Sequence, residues 1–339
     1  MKTSLVTGGA GFIGSHVADT LLKMGHRVVV MDDLSGGFVQ NVPERATFVE
    51  GSIMDQELIE SLFSKYRFNY VYHLAAYAAE GLSHFIRRFN YMNNLVGSVN
   101  LINASVNHDV ECFVFTSSIA VYGAGQSPMT EDMIPVPEDP YGIAKLAVEQ
   151  DLRVAHEMFG LDSIVFRPHN VYGTRQNIGD RYRNVVGIFM NQCLRGEPLT
   201  IFGDGEQMRA FSDISDVAPV IARSVDEKGA RNQVFNIGAD VPFTVNTLAE
   251  VVSRAMGVAC KKVHLPPRNE VKVAYADHSK AHRVFKPKKF MDLEEGIRSM
   301  AGWVKVHGSR ESNVFSAVEV PKNMPPTWAA VLRGSGVKM

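Results

Sequence analysis

The residues best suited to chemistry are Tyr141 and Lys145, in the run Pro140-Tyr141-Gly142-Ile143-Ala144-Lys145. Pro140 suits the first turn of a helix, and a spacing of four then puts phenol and ammonium on one helical face. Of the ten tyrosines, Tyr141 alone has a lysine four residues later. A free phenol has a pKa of about 10, so roughly a thousandth is ionised at neutral pH. A neighbouring ammonium stabilises the phenolate, and lowering that pKa by about three units corresponds to about 4 kcal/mol. Tyr141 could then take the proton of a hydroxyl group. Ser118, which ends an apolar run together with Ser117, could steady the same oxygen or relay the proton. Taken alone, these residues also suit a partly exposed helical pair and a strand-end serine capping backbone groups.

A base of this kind becomes a redox catalyst beside a hydride acceptor, and the chain opens on the pattern that binds one. In Thr3 to Gly14, TSLVTGGAGFIG, the apolar Leu5 and Val6 lead into Gly8, Gly11 and Gly14. Gly8 permits a tight turn, Gly11 lets the backbone approach a pyrophosphate, and Gly14 allows close helix–strand packing. Phosphates would sit on the helix N-terminus, where unpaired N–H groups and the helix dipole favour negative charge. A second apolar run, Arg27 to Met31, ends in Asp32. Its carboxylate can accept from both ribose hydroxyls and repels a 2′-phosphate, which favours NAD over NADP. A merely structural turn is the alternative for the glycines by themselves. Beside NAD, Tyr141 could accept a sugar hydroxyl's proton while hydride leaves the same carbon.

The elements that must position these groups alternate. Apolar runs at Ser4–Val6, Val28–Met31, Thr47–Val49, Tyr70–Leu74, Cys112–Thr116 and Ser163–Phe166 are separated by helical stretches. Those stretches include Ile13–Met24, Gln56–Phe63, Asn90–Val106 and Tyr141–Phe159. The pattern predicts an α/β fold with a Rossmann-type, doubly wound parallel sheet, its ligands beyond the carboxyl ends of the strands. The chemistry is expected in the loops after Leu74, Thr116 and Phe166. After Pro168, polar connections at Gly173–Asn184, Gly203–Arg209 and Pro266–Ala274 separate shorter elements, which predicts a smaller, discontinuous α/β substrate domain. The expected division gives the cofactor 1–167 plus about 211–240, with Phe211–Val225 and Val234–Ile237 returning to the sheet. The substrate receives about 168–210 plus 241–304. Residues 305–339, with Pro-Pro at 325–326, form a tail either loosely ordered or docked by Trp328 and Val331.

Composition narrows the function classes. The 339 residues carry a formal net charge of −1 and are 45% hydrophobic, with no basic block of the kind nucleic acids require. No apolar run approaches the roughly twenty residues that span a bilayer, and the N-terminus lacks a signal-peptide pattern. The three cysteines, Cys112, Cys193 and Cys260, are odd in number and lack metal spacing. They read as reduced, mostly buried thiols, and no metal is expected. A soluble, cytoplasmic protein with no nucleic-acid or membrane partner follows from these features.

Six motifs then carry a resemblance. TGGAGFIG, HLAA (His73–Ala76), TSSIAVYG (Thr116–Gly123), YGIAK, FRPHNVYG (Phe166–Gly173) and GDGEQMRAF (Gly203–Phe211) occur in that order. The chain resembles the extended short-chain dehydrogenases/reductases, in their NAD-dependent nucleotide-sugar epimerase/dehydratase branch. The resemblance implies Ser118, Tyr141 and Lys145 as catalytic residues. It implies Gly8, Gly11, Phe12, Ile13, Gly14, Asp32, Ser52, Ile53, Leu74, Ala75, Ala76, Asn94, Ser117 and Pro168 around NAD, together with Tyr141 and Lys145. Asn170 and Asn184 would contact the sugar diphosphate, with Ser118 at the sugar. Arg209 and Arg268 would grip the phosphates and the uridine side, two cations suiting two negative charges.

In this family the positions after the catalytic Ser/Thr separate reactions: acids in 4,6-dehydratases, a glutamate in UDP-glucuronate decarboxylases, a cysteine in 3,5-epimerases. Here they are Ile119 and Ala120, which exchange no proton, so oxidation and re-reduction of one carbon is implied. The expected activity is 4-epimerisation of a UDP-sugar, first UDP-glucose and UDP-galactose through a 4-keto intermediate. UDP-glucuronate and UDP-N-acetylglucosamine come next, then a nucleotide-sugar reductase and, from another class, a non-catalytic NAD-binding regulator. A homodimer through the Asn90–Val106 and Tyr141–Phe159 helices is expected by the same likeness. Some positions depart from the family. Ser52 stands where an aspartate usually faces adenine, and Ala210 where an aspartate often follows the phosphate-binding arginine. The segment after Arg268 is one residue shorter, which puts Ala274 near the wall that limits the sugar's 2-substituent and favours room for an N-acetyl group. Arg181 and Arg183 suit either a uronate carboxylate or a solvated loop.

Overall fold

Alternation along the strands builds a sheet buried on both faces. In β1 (Thr3–Thr7) Leu5 packs to one side and Val6 to the other, and in β2 (Arg27–Asp32) Val29 and Met31 oppose Val28 and Val30. The same division runs through β3 (Thr47–Glu50), β4 (Tyr70–His73), β5 (Cys112–Thr116), β6 (Ser163–Pro168) and β7 (Gln233–Ile237). All seven pair in parallel, in the order β7-β6-β5-β4-β1-β2-β3. Strands covered on both sides by helices read as continuous apolar runs, as these do. The structure, a computed structural model, describes residues 1–125, 127–180, 184–267, 271–287, 290–310 and 318–325.

One face carries α1 (Phe12–Lys23), packed against a later helix, Ile214–Arg223. The other carries α2 (Gln56–Tyr66), α3 (Gly97–Asn107) and α4 (Pro140–Phe159). The single helix expected at Asn90–Val106 is three pieces: Arg87–Tyr91, a π-helical segment Met92–Val96, and α3. Such an insertion of a wider turn re-aims side chains and often marks a functional site. The stretch expected as Phe211–Val225 begins with a short strand, Ser212–Asp213, paired with Val171–Tyr172, and Asp213 caps the helix that follows.

A separate apolar cluster forms after Pro168. Val186, Phe189 and Met190 of the helix Val185–Arg195 meet Leu248 and Val252 of Val245–Met256, and Ile297, Met300 and Val304 of Leu293–His307. A strand at Leu199–Phe202 pairs with Lys262–Leu265. Cys112 and Cys193 are buried and Cys260 is exposed, all three as free thiols. Among the described residues no helix is long and apolar enough to cross a membrane, and no cluster of side chains could hold a metal ion. Trp328 and Val331, the residues expected to dock the tail, lie outside the described residues. Residues 318–325 are described, and they pack on the Phe85–Phe89 segment, where the amides of Glu319 and Val320 both donate to the Phe85 carbonyl.

Candidate active site

The sheet order reverses between β1 and β4, and beyond the carboxyl ends of the strands there lies a cleft of about 1590 Å³. Gly8, Gly11, Phe12, Ile13, Gly14, Asp32, Ser52, Ile53, Leu74, Ala75, Ala76, Ser117, Ser118, Tyr141, Lys145 and Pro168 line it on one side. Asn170, Asn184, Arg209 and Ala274 line the other. Arg268, Arg181 and Arg183 lie outside the described residues. Asn94 is buried beside the cleft rather than in its lining. Its Oδ1 accepts from the Tyr77 amide at 2.8 Å and its Nδ2 donates to the Tyr77 carbonyl and to Asn90, so it holds the loop that lines the cleft.

The first turn of α1 is built for an anion. Gly11 caps the helix without a side-chain hydrogen bond, which leaves first-turn N–H groups for a ligand. A Cβ at Gly8, where φ is +69°, would lie 2.7 Å from the Ala75 nitrogen. The glycine turn and the β4 loop therefore meet backbone to backbone, an approach no other residue permits. Asp32 ends β2 with Oδ2 accepting from the Ala10 amide at 3.0 Å and Oδ1 from Leu34 at 2.9 Å. Burial raises its carboxyl pKa, and those two backbone donors work against the rise. A backbone cradle at a helix start, with a carboxylate fixed at the next strand end, fits a dinucleotide.

Tyr141 is held by three elements. Asp139 caps α4 by accepting from Gly142, Ser83 Oγ accepts from the Tyr141 amide at 3.3 Å, and Asn90 Nδ2 donates to the Pro140 carbonyl at 2.8 Å. Lys145, one turn on, is 2% exposed; its Nζ donates to the Thr116 carbonyl at 2.7 Å and stands 5.7 Å from the Tyr141 ring centre. Burial pulls its ammonium down to about 7, against which Glu149 raises it. Ser118 starts a short 3₁₀ turn, its Oγ accepting from Ala120 at 3.1 Å, and Ile119 and Ala120 line the cleft beside it. Ser117 turns its hydroxyl the other way and donates to Glu149 at 2.5 Å.

Several contributors receive no role in the reading of the sequence. Arg167 donates to both oxygens of Glu149, at 3.0 and 2.5 Å, in a buried pair behind Lys145. His73 bridges Thr7 and Ser98 at 2.7 and 2.8 Å, and burial holds its pKa down at about 3, so the ring is a neutral strut between β4, β1 and α3. His169 lines the cleft, meets His278 at 3.0 Å and, through it, Asp240, whose Oδ1 is 2.6 Å from His278. A signal for Glu149 was present, since it follows Lys145 by four residues on one helical face. Arg167 lies inside the FRPHNVYG motif, but nothing local tied it to Glu149, and nothing local pointed to His278.

On the opposite wall Asn170, with φ of +40°, donates to the Ala210 carbonyl at 3.1 Å. Asn184 caps Val185–Arg195 and donates to the Val171 carbonyl at 2.6 Å. Arg209 donates to the Met208 carbonyl at 2.8 Å from a strand flanked by Ala274. Ser52 Oγ accepts from the Met54 amide at 3.2 Å.

The chain is similar to a known family and to solved structures. The model of the NAD dependent epimerase/dehydratase family matches residues 4–238. A UDP-glucose 4-epimerase from Thermotoga maritima, solved with UDP-glucose, is 39% identical, with a TM-score of 0.86 over 90% of this chain and 99% of its own. A UDP-N-acetylglucosamine 4-epimerase from Methanobrevibacter ruminantium M1, in complex with UDP-N-acetylmuramic acid, is 32% identical, with a TM-score of 0.84 over 90% and 98%. A UDP-glucuronic acid 4-epimerase from Bacillus cereus, in complex with UDP-glucuronic acid and NAD, is 28% identical, with a TM-score of 0.82 over 90% and 99%.

Proposed function

Because the chain belongs to the NAD-dependent epimerase/dehydratase family, we propose that it is a UDP-sugar 4-epimerase acting first on UDP-glucose and UDP-galactose. The observation that carries the reading is the pairing of Tyr141 and Lys145 opposite a Ser118 loop whose next two residues, Ile119 and Ala120, exchange no proton. Bound NAD supplies the hydride acceptor and, after the sugar turns, the hydride donor. Tyr141 takes the proton of the 4-hydroxyl and later returns it to the opposite face, and Lys145 stabilises the phenolate in between. Ser118 steadies the 4-oxygen. The 4-keto sugar rotates about its link to the diphosphate, which Asn170, Asn184, Arg209 and Arg268 hold in place.

In this reading residues 1–167 with about 211–240 hold NAD, and about 168–210 with 241–304 hold the UDP-sugar. The enzyme works in the cytoplasm as a homodimer. Ile143, Val154 and Met158 of α4, with Met92 nearby, expose apolar side chains that a second copy would cover. Sedimentation of Met158→Glu should then show a smaller particle than the unmodified chain. A second reading, UDP-N-acetylglucosamine as substrate, is favoured by Ala274, a small side chain in the cleft wall. One experiment separates them: incubation with each UDP-sugar and no added cofactor, followed by separation of the epimers. Conversion of UDP-glucose is expected; turnover that requires stoichiometric reduced cofactor would replace the epimerase with a reductase.

A further inference from the structure

Resting on the roles given to Tyr141 and Lys145, we propose that Glu149 is a positioning residue for the reaction: its buried carboxylate binds Ser117 and Arg167 and keeps a negative charge one helical turn beneath Lys145. Glu149 lies on α4, four residues after Lys145, with its side chain 4% exposed. It accepts from Ser117 Oγ at 2.5 Å and from Arg167 Nε and Nη2 at 3.0 and 2.5 Å. Ser117 adjoins Ser118 at the end of β5, and Arg167 lies near the end of β6. One carboxylate therefore ties α4, which carries Tyr141 and Lys145, to the end of β5, which leads to Ser118, and to β6. Arg167 is supported in turn, its guanidinium 4.7 Å from the Tyr122 ring centre, and the Tyr122 hydroxyl donates to Asn236 of β7 at 2.8 Å.

The charge matters as much as the bonds. Lys145 is surrounded by the Thr116 carbonyl, the Phe115 ring and few ionisable groups. These are Tyr141 and Glu149 on its own helix and the neutral His73 on β4, with Arg167 of β6 on the other side of Glu149. Burial drives Lys145 towards the neutral form, and Glu149 opposes it. A neutral Lys145 would no longer stabilise a phenolate. Removing one negative charge lowers the pKa of every ionisable neighbour, so ionisation of Tyr141 and loss of the Lys145 proton should both move to lower pH.

The test is Glu149→Gln, which keeps shape and removes charge, read in two ways. The first is the ultraviolet titration of the Tyr141 phenol, taken as the difference from Tyr141→Phe, with and without NAD. The second is the pH profile of kcat for UDP-glucose. The expected result is a shift of the phenol titration and of both limbs of the profile to lower pH by about one unit, with NAD content unchanged. Glu149→Asp should restore both. A residue that merely packs would lower kcat and leave the limbs in place, and that result overturns the proposal. Should Glu149→Gln not fold, the double variant Glu149→Gln/Arg167→Gln takes its place; losing the Arg167 cation opposes the shift but acts from the far side of Glu149, so a smaller acid shift is expected, and limbs that stay in place overturn the proposal. If the unmodified protein turns over no UDP-sugar, the functional reading fails, while the phenol titration still decides the role of Glu149.

Discussion

At the scale of single residues, the site depends on a phenol and an amine kept almost dry. Tyr141→Phe removes the proton acceptor and little else, so kcat should fall by about 10³ while NAD, measured after release from denatured protein, stays at the unmodified level. Retained turnover would remove Tyr141 from the reaction. Lys145 makes a prediction about stability. Its ordinary value is 10.5 and burial lowers it to about 7 in the folded chain. Between those values the unfolded chain binds the extra proton, so folding stability should rise as pH increases through that window. Thermal melts of cofactor-free protein at pH 7 and 9.5 should therefore show the unmodified chain gaining relative to Lys145→Met; a constant difference would contradict the depressed value. These two residues were legible in the sequence because their relation is local, a spacing of four on one helix. Asn94 shows the limit. The resemblance that assigns it to NAD does not reveal that the π-helical segment Met92–Val96 places its amide on the Tyr77 loop.

At the scale of elements, geometry rests on how closely α4 approaches the β5 loop. A Cβ at Gly142 would meet the Ala120 carbonyl oxygen at 2.5 Å, so Gly142→Ala must push the helix start away from Ser118. A loss of about tenfold in kcat is expected, since small misplacements of reacting groups are costly, with little change in NAD content. Asp139→Ala removes the cap of the same helix at a cost of about 1 kcal/mol, measurable by chemical denaturation. The succession of strands and helices along the chain followed from apolar periodicity, because a doubly covered parallel sheet imprints it on its strands. The cross-element supports did not. Arg167 and Glu149 sit on different elements, and His169 and His278 are separated by 109 residues, so no local pattern joins them.

At the scale of the whole molecule, the cleft is completed by residues far apart in the chain. Glu319 accepts from the Arg88 and Phe89 amides at 2.6 and 2.8 Å and so caps the Arg87–Tyr91 segment from 231 and 230 residues away. Asn323 and Pro325 join Phe85 and Phe89 in the cleft lining. Deleting the chain after Gly308 should raise KM for the UDP-sugar severalfold and leave NAD content unchanged; an unaltered KM would mean that this segment takes no part in binding. The weak periodicity of the tail hid this contact, which depends on a single carboxylate reaching an uncapped helix start. The thiols offer a practical route to watching the cleft at work. Burial pushes Cys112 up to about 12 and raises Cys193 as well, so neither presents a reactive thiolate, whereas Cys260 faces solvent. Cys260 stands two residues before Lys262–Leu265, whose partner strand contributes Thr200, Ile201 and Phe202 to the cleft. A maleimide dye should therefore attach at one place, and its emission would report nucleotide binding without an engineered label.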